Sequence, residues 1–437
     1  MAKYLSVLLV ACIMQLTSQA QENSPYSRYG IGDLTPNHNI LTRGMGGIAA
    51  GYADNLSLNF TNPAAVSNLA LTAFDIGGDI DIRTLKSSNP AKKFTSANTL
   101  ISYMALGFPL ATEKMRKKNI SWGLTLGLKP VSRINYKIEK NERLTGIDSL
   151  NTMYEGTGGV NQVFIGTGLK IKNFSFGFTT GYMFGNKDYS TRLNFMNDTV
   201  SYQKSNSATQ TRVGGLFLNA GIQYQTEINK DATLRFGLYG NMQQKINAKQ
   251  DILRETYILD ASGTSYRIDS VYDKKDIKGK LELPVSVGFG ATYTNKHWLI
   301  GADAEMTSWS KYRFYGATDN VQNNFTIRAG AQYYPAKDNT PAKKYFSFVK
   351  YRAGFYYGTD YIKLTSNRSE FGFTAGAGLP LTSLQRLSYY NADYVVLNTG
   401  LEIANRGNIK TNLRENIVRI SIGVSMNARW FMKRKYD

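Results

Sequence analysis

Cysteine is almost absent from this 437-residue chain, the only one being Cys12. A disulfide framework is excluded, and with only two histidines, His38 and His297, a His/Cys metal site is not expected. No nucleophile stands beside a recognisable base pattern. The glycines of Arg28-Tyr29-Gly30-Ile31-Gly32 lack the strand and helix of a phosphate loop and read as a flexible turn. The chain is therefore not expected to be an enzyme, with no catalytic residues, no metal and no cofactors.

Long hydrophobic runs are missing too. Beyond residue 20 nothing approaches the ~18 apolar residues of a membrane helix. The mean hydropathy of −0.33 looks soluble. A transmembrane barrel, however, turns only every second strand residue to lipid and keeps a low average. The abundant residues fit that class: 40 Gly, 29 Tyr and 21 Phe against 10 Pro. Acids are outnumbered, 32 against 52 bases, for a formal charge of +20. The bases form no stripe or tail of the kind that binds nucleic acid. Outer-membrane lipid and lipopolysaccharide are the expected anionic neighbours.

Residues 1–20, MAKYLSVLLVACIMQLTSQA, read as a secretory signal. Lys3 supplies the charge, 4–14 the apolar run, and Ser18-Gln19-Ala20 a small-x-small cleavage site. Leu9-Val10-Ala11-Cys12 also resembles a lipobox, where bacterial lipoproteins are cut and acylated. Cleavage after Ala20 leaves a mature chain without cysteine.

From residue 69 onward a two-residue alternation recurs. Ile76, Ile80 and Ile82 alternate with Asp75, Asp79 and Asp81. Phe174, Phe176, Phe178, Tyr182 and Phe184 share one face of a later segment. At the end, Val418, Ile420, Ile422, Val424, Met426 and Trp430 alternate with Arg419, Ser421, Ser425 and Arg429. About fourteen such segments, each long enough to cross a bilayer, predict an all-β fold, a transmembrane antiparallel barrel with an N-terminal luminal plug. A soluble sandwich also alternates, but its strands average ~5–6 residues. Short turns such as Lys172-Asn173 alternate with polar stretches expected to be long loops at 140–155, 186–210, 245–280 and 405–415. An even strand count puts both termini on the short-turn, periplasmic side of a bacterial outer membrane.

The expected organisation is a signal peptide at 1–20, a plug or hatch at 21–68, a barrel at 69–431 and a basic periplasmic tail at 432–437. The polar faces predict a lumen lined by Arg235, Asp303, Glu305, Arg328, Arg352, Arg419 and Arg429. The short turns are rich in cations, among them Lys114, Arg116, Lys117 and Lys118. Snorkelling to lipid phosphate or docking of a periplasmic protein would each account for them.

Residues 21–68 do not alternate. Three prolines and six glycines argue against spanning strands. Ile40, Met45, Ile48, Leu58 and Phe60 make the stretch apolar enough to pack inside the barrel. Gly44-Met45-Gly46-Gly47, then Ala53-Asp54-Asn55, then Asn59-Phe60-Thr61-Asn62-Pro63-Ala64 resemble the FadL-like family of outer-membrane transporters for hydrophobic compounds. The opening NSPYSRYGIGDL and the closing NARWFMKRKYD resemble Bacteroidota members. The resemblance implies a fourteen-stranded barrel and a luminal hatch, with Gly46, Gly47, Asp54, Asn62, Pro63 and Ala64 as the plug or gate. It also implies lateral exit through a kink in the third strand. Pro130 falls in that strand and cannot donate to the ladder, so either a lateral opening or a strand already clear of the bilayer follows. Pro284 raises the same question in the eighth strand.

Two functions remain. One is an outer-membrane channel for a hydrophobic or amphipathic small-molecule ligand, long-chain fatty acid-like, gated by the plug. The other is a non-transporting barrel subunit of a larger outer-membrane complex, such as secretion or barrel-assembly machinery, with outer-membrane or periplasmic protein partners.

Overall fold

A computed structural model describes residues 24–88, 91–143, 149–196, 202–260, 262, 264–336, 344–364, 367–382, 394–407 and 413–428. The expected signal peptide, Arg429, the aromatic pair Trp430-Phe431 and the basic tail lie outside these residues. The wall strands run β1 (Thr72–Ser88), β2 (Ala91–Pro109), β3 (Ile120–Arg143), β4 (Ser149–Ile171), β5 (Phe174–Met196) and β6 (Lys204–Asn229). Next come β7 in two pieces (Ala232–Asn241, Gln244–Leu259) and β8 in two pieces (Ser265–Leu283, Ser286–Thr294). The circuit ends with β9 (Trp298–Thr307), β10 (Asn324–Tyr333), β11 (Lys350–Thr359), β12 (Ser369–Pro380), β13 (Tyr394–Arg406) and β14 (Leu413–Ala428). All neighbours are antiparallel, and β14 pairs with β1 from Leu413↔Ser87 to Ala428↔Thr72. The wall is a closed barrel of fourteen strands.

The alternation sets the two faces. On β1, Asp75, Asp79, Asp81 and Arg83 are buried toward the bore, while the isoleucines between them face out. On β14, Arg419, Ser421 and Ser425 are buried, and Ile420, Ile422 and Met426 are exposed. Around the wall the same face leaves Phe178 51%, Leu216 73% and Ile403 57% exposed. An apolar belt this continuous has lipid as its solvent.

The two ends differ. Short turns, Lys172-Asn173 among them, close one end, joined there by a short helix, Glu113–Lys117. At the other end much of what the sequence predicts as polar loop at 140–155, 186–210 and 245–280 is strand. β3 to β8 continue upward as paired hairpins, for example Arg143↔Ser149 and Leu259↔Ser265. Above the bilayer both faces of a hairpin can be wet, so no apolar alternation marks it in the sequence. Pro284 marks the transition on β8. Its lower piece pairs with β7 and β9, its upper piece pairs chiefly with the upper β7, and Asn241 Nδ2 donates to the Pro284 carbonyl at 2.9 Å.

Candidate functional site

Residues 24–69 occupy the bore. They comprise a 3-10 turn (Pro25–Arg28), a two-residue strand (Asp33–Leu34), a helical turn (Ile40–Arg43) and a second 3-10 turn (Pro63–Asn68). Ile40, Met45, Ile48 and Asn62 have no exposed surface. Between Ile40 and Val66 the segment circles the inner wall, and on thirteen of the fourteen strands it meets a glycine. Ile40 lies against Gly77, Gly400 and Gly423, Gly44 against Gly376, and Met45 against Gly330 and Gly354. Ile48 then meets Gly301, Ala50 meets Gly237, and Leu58 meets Gly107. Asn62 meets Gly221, Pro63 meets Gly177 and Gly168, and Val66 meets Gly123. At the exception, β8, Thr292 Oγ1 donates to the Gly51 carbonyl at 2.7 Å. A β-carbon at Gly237 would stand 1.7 Å from the Ala50 oxygen, so only hydrogen fits there.

Polar side chains satisfy the segment's backbone. Asn62 Nδ2 donates to the Ala50 carbonyl at 2.7 Å, and its Oδ1 accepts from Ala64 N at 3.1 Å, capping the turn that Pro63 begins. Asn59 Nδ2 donates to the carbonyls of Ala49 (2.7 Å) and Tyr52 (2.9 Å). Gly46 and Gly47 have φ of +69° and +83°, the left-handed region that favours glycine, and Gly46 N donates to Thr374 Oγ1 at 2.9 Å. Asp54 Oδ1 accepts from Leu56 N at 2.8 Å. From the wall, Arg235 Nη1 donates to the Ala53 carbonyl at 3.0 Å, and Asp303 accepts from Ala49 N and Ala50 N.

The stretch read as a flexible turn is held firmly. Lys187 Nζ and Tyr312 Oη donate to the Gly30 carbonyl at 2.6 and 2.9 Å, Asp319 accepts from Gly30 N at 2.7 Å, and Tyr361 donates to the Gly32 carbonyl. Asp33 lies 2.6 Å from both Arg83 and Arg406. Burial alone would raise its carboxyl, but the two guanidiniums outweigh it and hold the group well below the usual carboxylate range. Arg406 continues to Glu370 (2.8 Å) and Glu415 (3.5 Å), and Arg419 joins Asp81 (2.9 Å) to Glu402 (3.0 Å). Ser24, at the hairpin end, donates to the fully buried Glu415 at 3.0 Å. Ser24 thus lies at the opposite end of the bore from the start of β1.

The wall is interrupted beside Pro130. β3 stays paired with β4 along its length, but with β2 it pairs only from Met104↔Leu128 to Pro109↔Gly123. A register shift between Pro130 and Ser132 bends β3 at that point. The freed edge is occupied by the amino-terminal segment: Asp33↔Arg133 and Leu34↔Ser132 pair, Thr35 N donates to Val131 O at 3.0 Å, and Thr35 Oγ1 donates to Pro130 O at 2.8 Å. Behind it lies a cavity of about 370 Å³. Leu34, Pro36, Met183 and Phe217 contribute apolar surface, and Arg43, Lys129, Glu305, Arg328, Glu402 and Arg419 contribute charge. Arg328 pairs with Glu305 at 2.8 Å and Arg43 with Asp79 at 2.5 Å.

The residues singled out from sequence therefore divide. Gly46, Gly47, Pro130, Glu305, Arg328 and Arg419 border the cavity. Arg235, Asp303 and Arg352 face inward but not into it; Arg352 donates to Gln332 and Asn398 at 2.8 and 2.9 Å. Asp54, Asn62, Pro63 and Ala64 hold the segment's own path. Sequence reasoning did not assign His38, Arg43 or Lys129 to the site: His38 and Arg43 lie on the bore segment, which has no alternation, and Lys129 is one of the inward-facing residues of β3. Burial, then Arg328, Arg43 and Lys129, keep the His38 imidazole well below the usual histidine range.

A family model described as BamG matches residues 1–437. The chain belongs to the BamG family. No curated protein sequence matches it. Solved structures share its fold at low identity. A Ralstonia pickettii toluene transporter, TbuX, superposes with a TM-score of 0.55 at 13% identity, covering 90% of this BamG-family chain and 99% of that one. The P. putida toluene transporter TodX gives 0.54 at 12% identity, with 91% and 100% covered. A Pseudomonas aeruginosa FadL homologue gives 0.51 at 12%, with 91% and 99% covered. The resemblance to FadL-like channels thus holds for the fold, and the family is BamG. With its apolar belt, the BamG-family barrel is an integral outer-membrane protein.

Proposed function

We propose that this barrel takes up hydrophobic or amphipathic small molecules across the outer membrane, with residues 24–68 as the gate. The hairpin side faces outward and the short turns face the periplasm. The single observation that carries this reading is the unpaired β2–β3 edge beside Pro130, with a cavity behind it and Asp33–Leu34 across it. Withdrawal of those two residues would join cavity to lipid. The mixed lining favours an amphipathic molecule whose carboxylate meets Arg328 or Arg419, a long-chain fatty acid-like ligand, over a bare hydrocarbon. The test uses register partners Leu34 and Ser132. In a double variant, L34C/S132C, oxidation should stop uptake of a fluorescent fatty acid into proteoliposomes and reductant should restore it. Uptake indifferent to the crosslink, or none by the intact protein, would sink the reading.

A second reading, a subunit of a larger outer-membrane complex, is favoured by the family name and by the upper β7–β8 hairpin. Its Tyr266 and Val271 are 54% and 79% exposed above the belt. A mild-detergent pulldown that recovers stoichiometric outer-membrane partners, with no uptake activity, would favour it.

A further inference from the structure

Lys86, on β1, is the direct register partner of Lys93 on β2 and of Arg414 on β14. All three lie on the lipid-facing side of the wall, since the alternate positions Arg83, Leu85 and Glu415 are buried in the bore. Side chains directly opposite across antiparallel strands have β-carbons about 4.5–5.5 Å apart, and like charges so placed repel. No ion pair links any of the three to an acid among the described residues. The one acid beside them in sequence, Glu415, points the other way and has no exposed surface.

The opposite wall shows what neutralisation looks like. There Arg212, Lys249 and Lys278 form a similar row across β6, β7 and β8. Asp251 lies 2.9 Å from Arg212, and Asp276 lies 3.8 Å from Arg212 and from Lys249. Among the described residues, one row carries its own counter-ions and the other does not.

Height along the wall says what supplies them. The last apolar row on this side is Ile82↔Val418, followed by the neutral Thr84↔Asn416 and then by Lys86↔Arg414. Four residues of strand rise about 13 Å, less when tilted, which reaches from the hydrocarbon edge through the headgroup layer. We infer that Lys86, Lys93 and Arg414 form a site for the phosphate of a phosphorylated glycolipid of the lipid A type in the outer leaflet. Arg414 would offer a planar pair of donors and the two lysines point charges, a set suited to a phosphate with several acceptor oxygens. The site rests on the hairpin side facing outward, but not on transport, so it stands or falls separately from the uptake reading.

The full-length barrel, purified in detergent, would be mixed with bis-phosphorylated lipid A and examined by native mass spectrometry. The wild type should retain lipid A, and the triple variant K86Q/K93Q/R414Q should retain at least tenfold less. K249Q/K278Q should retain as much as wild type. Glutamine removes repulsion without changing the outward face, and a folded-barrel shift on an unheated gel checks assembly. Equal retention by the triple variant would overturn the site. So would equal loss in K249Q/K278Q, or equally tight retention of dephosphorylated lipid A or of phosphatidylglycerol.

Discussion

Asp303 on β9 and Ala50 of the amino-terminal segment are 253 residues apart in chain order, yet one carboxylate oxygen accepts from both Ala49 N (2.5 Å) and Ala50 N (2.7 Å). Two backbone donors on one anion anchor the segment at mid-bore. Hydrogen bonds to a charged group contribute ~1.5–3 kcal/mol each. In D303N, hydrogen-exchange protection at residues 48–51 should fall at least tenfold while wall strands stay protected. Unchanged protection would mean the contact does not hold the segment.

Glycine substitutions should form a graded series. At Gly237 a methyl would collide with the Ala50 oxygen, whereas at Gly400 the nearest atom is 3.5 Å away, an ordinary contact. Overpacking costs ~1–3 kcal/mol. G237A should loosen residues 45–51 by roughly tenfold in exchange and G400A should leave them unchanged. Equal behaviour of the two would refute the close fit.

His38 gives the docked segment a pH dependence. The docked imidazole stays neutral because burial and the neighbouring Arg328, Arg43 and Lys129 disfavour its charge. A displaced segment would bind a proton near the ordinary 6.5. Displacement thus takes up protons, and docking weakens as pH falls below about 6.5, by up to roughly tenfold per unit. Protection factors for residues 36–48 should show that slope in the wild type and be flat in H38Q. A slope in both would assign the effect elsewhere.

Val424 faces lipid beside Ile76 and Leu397, its register partners. V424K places a cation on the belt, costing ~2–4 kcal/mol near the midplane. The yield of folded barrel in liposomes should drop sharply, while N416K, above the belt, should assemble normally. Normal assembly of V424K would mean the faces are reversed.

The wall was legible because lipid on one side and a wet, charged bore on the other write a period of two, as Ile420-Arg419 and Ile80-Asp81 show. The upper hairpins of β3 to β8 were not, since water on both faces leaves no period. The bore segment was legible as a packed stretch from Ile40, Met45 and Ile48. Its route was not, because the wall marks that route with glycines, which leave no side chain to read. Gly30-Ile31-Gly32 looked loose because its restraints, Lys187, Tyr312 and Tyr361, come from distant strands. The gap beside Pro130 was half visible: the proline announced a disturbed ladder, but the loss of β2 pairing and its repair by Asp33–Leu34 depend on contacts far along the chain.

The ring of inward glycines has one more consequence. At those thirteen contacts the barrel contributes peptide groups where a side chain would otherwise stand, so its inner surface is shaped as a mould for one particular strip of chain. Take the strip away and the exposed lining would be carbonyls and amides already tied into the sheet, a wet collar rather than a greasy sleeve. Filling and mould are therefore a matched set, and a segment transplanted from another barrel would find few places where its own β-carbons fit.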